Sequence, residues 1–272
     1  YKSVDGGGEF HLVGYEGSGL PPGAVFSMVI VPQSPGPSRT LYAAVSGYGV
    51  YRSDDAGLSW RERSNGLPPD RRSLKHLVLD PSDPQRLFLA GVVRSRDGGQ
   101  GQLRGYIART TDGAGEWELV KTGIEPQCLL IDPLDPQRIY AGSRNFSGID
   151  YPNALYRSVD GGDTWTSLGQ AAFLQSPGSK GGDQGVRIYL SCLAADPSRP
   201  ATILASFQEE SYDVSNGRGV LISHDGGDTW EPFPLDGLTC FRVGTLIVDS
   251  VNPARIYVGT GGNGLFRYGP AP

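Results

Sequence analysis

The sequence predicts an all-β fold, a β-propeller of four-stranded antiparallel blades, five in number. Three observations predict it. A motif Ser/Thr-x-Asp-x-Gly-x-x-aromatic recurs with its aspartates at Asp5, Asp55, Asp112, Asp160 and Asp225. A second element recurs in phase: an apolar run, an Asp-Pro turn, and another apolar run. The composition, with 40 Gly and 21 Pro in 272 residues, turns often and interrupts helices, because Pro removes a backbone donor and Gly weakens helix interiors.

The motif reads SVDGGGEF from Ser3, SDDAGLSW from Ser53, TTDGAGEW from Thr110, SVDGGDTW from Ser158 and SHDGGDTW from Ser223. Successive aspartates lie 50, 57, 48 and 65 residues apart, and closing the circle from Asp225 through Pro272 to Asp5 gives 52. The Asp-Pro element covers residues 77–91, 129–142, 193–206 and 246–260, with a degenerate copy at 28–45. Each copy is followed by a third run that leads into the motif: 49–53, 106–110, 154–158 and 219–223. A fourth short run follows the Trp, as at 61–64 and 118–121. Short runs rich in Val, Ile, Leu and Tyr, bounded by Gly, Pro and Asp, read as strands, and four-stranded repeats of this period read as propeller blades. The chain is expected to form one domain over 1–272. Residues 264–267 match a third strand and Tyr1-Lys2-Ser3 match its end. Segments 1–15 and 240–272 are therefore expected to share the closing blade, which would pair edges otherwise left open.

The motif resembles the Asp-box, or BNR repeat, of sialidases, sortilin-type receptors, family 74 xyloglucanases and the photosystem II assembly propeller. The pairing of the Asp-Pro element with YRSxDGGxTW is most similar to the xyloglucanase and sortilin branch. The resemblance covers the whole chain, with departures at Ala114, where Gly is usual, and at Phe10, where Trp is usual. It implies a structural role for Asp5, Asp55, Asp112, Asp160 and Asp225 and for Trp60, Trp117, Trp165 and Trp230. The chemistry agrees. A turn Asp accepts nearby backbone N–H groups, Gly supplies positive φ, and Trp is a large apolar plate with one donor. With every Trp used in this way, sugar stacking would fall to Tyr.

Net charge is -5, against the positive surplus that nucleic-acid binding requires. No apolar run is long enough to span a membrane. The three Cys (Cys128, Cys192, Cys240) make no CxxC and no disulfide framework. The first residue is Tyr1 and no basic-plus-apolar leader follows, so a processed or excised chain is expected. The resemblance favours an exported protein, secreted or periplasmic. A monomer without cofactor is expected.

Asp-boxes and Asp-Pro turns should share one end of each blade. The opposite end carries the links between second and third strands and between blades. Those links are long at 92–105, 143–153, 207–218 and 169–186, and short at 46–48 and 261–263. Loops on a rigid scaffold concentrate binding residues. The expected ligand-binding residues are Arg72, Lys75, Arg94, Arg144, Tyr151, Arg187, Tyr189, Tyr212 and Arg242. Such an Arg- and Tyr-rich mouth suits a glycan, an anionic small molecule or a protein, through forked hydrogen bonds and ring contacts. Aligned on the Asp-Pro turn, Ser27, His76, Cys128, Cys192 and Thr245 share one position. His and Cys are metal-binding types, but a fourth ligand is missing and the repeat separates them; no metal site is expected.

Glycoside hydrolysis would need two carboxyl groups across a cleft. Glu209, Glu210, Asp213, Asp150 and Asp97 are the candidates on the elaborated end. The sialidase likeness would use an Arg cluster such as Arg72, Arg144, Arg187 and Arg242 with a Tyr phenol, yet no Arg-Ile-Pro segment precedes the first box and five units fall short of six. The sequence reading is a binding or scaffold propeller, with a glycoside hydrolase-like enzyme on the same loops as the alternative.

Overall fold

A computed structural model describes residues 1–3, 5, 7–12, 17–32, 39–69, 73–93, 105–144, 155–168, 188–209, 219–234, 238, 243–262 and 264–269, with backbone alone at 188, 189 and 207–209. The regular structure among these residues is all β, in five antiparallel sheets whose strands follow one another in chain order. The chain divides into two compact units, Tyr1–Thr122 and Gly123–Pro272.

The first unit holds two four-stranded sheets. Sheet 1 is β1 (Val25–Ile30), β2 (Leu41–Val45), β3 (Gly49–Ser53) and β4 (Arg61–Glu62). Sheet 2 is β5 (Ser73–Leu79), β6 (Leu87–Val92), β7 (Gly105–Thr110) and β8 (Glu118–Thr122). The second unit holds three. Sheet 3 is β9 (Pro126–Ile131), β10 (Ile139–Ser143), β11 (Leu155–Ser158) and β12 (Thr166–Ser167). Sheet 4 is β13 (Ile188–Ala195), β14 (Ile203–Glu209), β15 (Val220–Ser223) and β16 (Glu231–Pro232). Sheet 5 has three strands among the described residues: β17 (Val243–Val248), β18 (Ile256–Thr260) and β19 (Gly264–Tyr268). The strands match the apolar runs of the repeat. In the N-terminal segment, Lys2 and His11 pair antiparallel, each N–H donating to the other's carbonyl at 2.8 and 2.9 Å. This is the third-to-fourth-strand pairing expected around the Asp5 box.

The Asp-Pro turn has a physical reason. In each of four sheets the Asp N–H donates across the turn to the residue six places on: Asp80 to Arg86, Asp132 to Arg138, Asp196 to Thr202 and Asp249 to Arg255. The Asp carboxylate then accepts the N–H of the residue two places on, as from Ser82 at 2.7 Å and Leu134 at 3.0 Å. An Arg at the sixth position adds charge. Asp80 is buried, and Arg86 reaches its Oδ2 through Nε at 2.6 Å and Nη2 at 2.5 Å. Arg138 holds Asp132 more loosely, at 3.5 Å. Sheet 4 has Thr202 at that position, and among the described residues the ion pair of Asp196 is with an exposed Arg199 at 4.0 Å.

Packing follows the alternation of each strand. In the first unit, Tyr42, Ala44 and Val50 of sheet 1 bury against Leu74, Leu77, Leu87, Leu89 and Trp117 of sheet 2. In the second, Tyr140 and Leu155 of sheet 3 pack on Leu193 and Ile203 of sheet 4, and Leu204 and Val220 of sheet 4 pack on Leu246 and Val258 of sheet 5. A clamp precedes each sheet of the first unit. Its sequence is Gly-Leu-Pro-Pro at 19–22 and again at 66–69. Trp60 N–H donates to the Ser18 carbonyl and Trp117 N–H to the Asn65 carbonyl. Gly19 and Gly66, both at φ +83°, lie so close to the Trp60 and Trp117 carbonyls that a Cβ at either would collide with backbone.

Candidate functional site

The box turns come first, because their geometry decides which carboxylates are available for chemistry. In the Ser53 box the hydroxyl donates to Asp55 Oδ1 at 2.8 Å and accepts the Gly57 N–H at 2.8 Å. Asp55 Oδ1 also accepts the Ser59 N–H at 2.8 Å, and Oδ2 accepts the Ser59 hydroxyl. Boxes at Ser158 and Ser223 repeat this bond for bond, with Thr164 and Thr229 in the place of Ser59. The two box residues after Asp both take positive φ. Gly usually fills them, but Ala56 (φ 60°) and Ala114 (φ 67°) adopt the same backbone. Ala114 thus stands in the Gly position itself, and Gly115 does not replace it. Trp60, Trp165 and Trp230 each donate Nε1–H to the carbonyl of the second box glycine, whereas Trp117 donates to the Arg63 carbonyl of the preceding sheet at 2.8 Å.

These carboxylates are held well below their ordinary 3.8. Asp55 falls to about 2 through the Ser59 hydroxyl and N–H, and Asp160 to about 2 through Thr164. At Asp225 burial pulls upward but the Thr229 and Ser223 bonds outweigh it, again to about 2. Asp112 and Asp5, where Glu116 and Glu9 occupy the Thr position, are lowered chiefly by Thr110 and Ser3. A carboxyl that titrates lower folded than unfolded adds stability that is complete above the unfolded value of 3.8 and is lost as pH falls toward 2. Thr229→Val is therefore expected to raise the Asp225 pKa and shift acid unfolding to higher pH. A carboxyl-carbon NMR titration checks this, with Asp160 as the internal control; an unmoved Asp225 would sink the account.

The boxes also fix which end of each sheet they occupy. Gly113, Gly161 and Gly226 donate N–H to the Gln85, Gln137 and Ala201 carbonyls of the Asp-Pro turns, all at 2.9 Å. Boxes and Asp-Pro turns thus share one end, and the strand-two-to-three links lie at the other.

At that other end the sheets share a feature that the motif alignment missed. The first strand of every sheet carries a β-bulge one residue before the aligned position. The pairing skips Phe26 between Val25 and Ser27, and Lys75 between Leu74 and His76, in the first unit. It skips Gln127, Ser191 and Gly244 before Cys128, Cys192 and Thr245 in the second. Bulges re-aim side chains and gather at functional sites. Each bulge lies five residues before the Asp-Pro position, and the residue after it pairs with Ala44, Ala90, Gly142, Ser206 or Gly259. No periodicity argument reads a bulge, because the side-chain alternation breaks there.

The aligned residues themselves turn toward neighbouring strands. Ser27 Oγ accepts the Leu77 N–H at 3.0 Å and donates to the Leu77 carbonyl at 3.3 Å. Cys128 Sγ lies 3.9 Å from the Leu190 carbonyl. Burial pushes the Cys128 thiol far up, with the neighbouring Cys192 adding to it, and pushes Cys192 up to about 12. Both thiols are buried and free. Ser191, a bulge residue, donates Oγ–H to the Val243 carbonyl at 2.7 Å. Among the described residues no group of three His, Cys, Asp or Glu could hold a metal ion.

Of the predicted ligand-binding residues, Lys75 is the sheet 2 bulge and is half-buried. Arg144 follows β10, where its N–H donates to the Glu125 carbonyl at 2.9 Å and Ser143 Oγ donates to the same carbonyl at 3.1 Å. Tyr189 lies on β13 and Glu209 on β14, with backbone alone described. Arg72, Arg94, Tyr151, Arg187, Tyr212 and Arg242, and the candidate acids Glu210, Asp213, Asp150 and Asp97, lie outside the described residues.

Antiparallel four-stranded meanders, with a box turn between third and fourth strands, are the architecture of β-propeller blades. Residues 221–232 match the BNR/Asp-box repeat family. The chain is 26% identical over 235 residues to a xyloglucanase of a Paenibacillus species, covering 80% of this chain and 21% of that one. It is 26% identical over 241 residues to xyloglucanase Xgh74A of Acetivibrio thermocellus, covering 80% and 26%. The chain thus spans about a fifth to a quarter of the curated relatives it matches. YCF48 from Cyanidioschyzon merolae shares the fold, with TM-score 0.56 and 15% identity over 94% of this chain and 70% of that one. No helix among the described residues is long and apolar enough to cross a membrane.

Proposed function

We propose that this chain is a glycan-binding propeller module whose binding surface is the end of the second unit's blades opposite the Asp-boxes. The observation that carries the reading is the division of labour between the two ends. Every box carboxylate is held in its own turn by two or more hydrogen bonds. The bulges of the five first strands lie toward the opposite end, where the sequence reading expects the long links. A bulge turns a strand residue out of the ladder, and Lys75 and Gln127 are such residues. Gln127, Arg144 and the loop residues Tyr151 and Tyr212, all of the second unit, would supply donors and ring faces for a hydroxyl-rich ligand. The likeness to xyloglucanases supports a β-glucan-type oligosaccharide over an anionic small molecule or a protein.

The test is a thermal-shift series with xyloglucan oligosaccharides, sugar acids and a protein-free control. A ligand at 100 times its dissociation constant adds about 2.7 kcal/mol to stability, a shift readily measured. The expected result is a shift with xyloglucan oligosaccharides that Tyr212→Ala or Arg144→Ala removes and Asp54→Ala, on the box side, leaves. No shift across the oligosaccharides would overturn the reading. A glycoside hydrolase-like activity is the second reading, favoured by the same likeness. It expects the bound oligosaccharide to be cleaved, with cleavage lost in Glu209→Gln while binding persists.

A further inference from the structure

The segment that joins sheets 1 and 2 carries the pair Asn65-Gly66, and both residues are exposed. An Asn followed by Gly can modify itself, because Gly has no side chain to shield its amide nitrogen. Hydroxide removes the Gly66 N–H proton, and the nitrogen attacks Asn65 Cγ. The N–Cγ bond forms and the Cγ–Nδ2 bond breaks. Ammonia leaves with a proton from water, which regenerates the hydroxide, and a five-membered imide remains. Water then opens the ring at either carbonyl, to aspartate or to isoaspartate. Isoaspartate routes the backbone through the side-chain carbon and lengthens it by one methylene.

The clamp between the two sheets holds this pair away from the reactive geometry. Leu67 N–H donates to the Ser64 carbonyl at 3.1 Å and closes a β-turn over Asn65 and Gly66. Gly66 takes φ +83° and Asn65 does not take a positive φ, so the turn is type II, with ψ of its first central residue about +120°. That angle points the Gly66 nitrogen away from the Asn65 side chain, whereas ring closure needs it swung onto Cβ. The peptide plane that would have to swing is the one tied to sheet 2, because the Asn65 carbonyl accepts the Trp117 N–H at 2.9 Å. Both feet of the turn are also pinned. Ser64 Oγ accepts the Val50 N–H at 3.0 Å, and Leu67 is buried in the cluster that holds Trp117. The Glu116 carboxylate stands beside Gly66, and its negative charge opposes ionisation of the Gly66 N–H. The clamp before sheet 1 has Ser18 in the place of Asn65, with Gly19 also at φ +83°. The close approach to a Trp carbonyl thus demands Gly at 19 and 66, while the position before it serves equally with Ser.

We infer that Asn65 is a self-modification site that the clamp between sheets 1 and 2 keeps latent. While Trp117 is seated, the turn blocks imide formation; when the seam opens locally, the pair is released to react. The conversion runs one way. An isoaspartate at 65 displaces the carbonyl that receives the Trp117 N–H and lengthens the path from Ser64 to Leu67, so the clamp does not reform as built. Asn65 therefore records openings of this seam, and its conversion weakens the seam further.

The test is peptide mass mapping of the full chain during incubation at mildly alkaline pH. The other Asn-Gly pairs, at 216–217 and 263–264, lie on separate peptides, so the Asn65 peptide is read by itself. The expected result is conversion of Asn65 more than tenfold slower in the native chain than in the urea-unfolded chain. Its rate should climb with urea below the unfolding transition. Trp117→Ala, in a variant shown to be folded, should remove most of the protection. Asn65→Ser should abolish the signal and leave the urea midpoint in place, as Ser18 does in the first clamp. Native chain that converts as fast as unfolded chain would overturn the inference. So would a folded Trp117→Ala variant that converts no faster than the unsubstituted chain. Where that variant does not fold, the urea series decides, and a rate that stays flat up to the transition overturns the inference. Chain purified with isoaspartate at 65 should unfold at lower urea; an unchanged midpoint would refute the weakening of the seam. None of these outcomes depends on glycan binding.

Discussion

Trp117→Ala should cost about 3–5 kcal/mol, the range for deleting a large buried aromatic, and should be the most damaging of the four box Trp substitutions. The motif makes the four Trp look equivalent; their surroundings do not. Trp117 is 2% exposed and packs with Leu67, Leu74 and Ala114. Its backbone N–H donates to the Asn65 carbonyl and its Nε1–H to the Arg63 carbonyl, both on the segment after sheet 1. Removing the ring empties the seam between sheets 1 and 2 and takes a donor from the Arg63 carbonyl. Trp165 and Trp230 are half-buried, and each donates Nε1–H to a glycine carbonyl of its own box, so their replacement should cost less. Urea midpoints for the four Ala variants check the order. Trp165→Ala matching or exceeding Trp117→Ala would refute it.

The second large effect is expected at the Asp-Pro turn of sheet 2. Asp80→Ala should cost about 3–5 kcal/mol, because breaking a buried ion pair leaves the other charge uncompensated. Asp80 accepts the Ser82 N–H and hydroxyl on Oδ1 and the Arg86 guanidinium on Oδ2. Arg86 is itself largely buried and lies over the Phe88 ring. The same substitution at Asp132 should cost less, since Arg138 stands farther off and is shared with Asp135. Asp196→Ala should cost least, because among the described residues its ion pair is with the exposed Arg199, at 4.0 Å. The gradient from Asp80 to Asp196 can be read from thermal midpoints. A flat series would show that the turn hydrogen bonds, common to all three, carry the stability.

The sequence by itself determined the repeat, and the repeat determined the blades. Asp-Pro turns, box turns and the apolar runs between them are local features, with reasons that act over a few residues. The strands therefore begin and end close to where the motifs place them, as at β3 and β11. Box chemistry was legible for the same reason: a Ser, an Asp and a Thr four residues further on fix their own hydrogen bonds. Even the depressed carboxyls of Asp55, Asp160 and Asp225 follow from the Ser or Thr at that position.

Only the tertiary structure decided three things. It showed the bulge in each first strand, which no alternation pattern predicts, because the extra residue is defined by a partner strand and not by its own neighbours. It separated the deeply buried Asp80–Arg86 pair from its looser counterparts, since burial depends on what lies across the sheet. And it showed that Trp117 is deeply buried, whereas Trp165 and Trp230, its equals in the motif, are half-buried. A side chain's period says which face of a strand it occupies; whether another sheet lies on that face is a property of the assembled molecule.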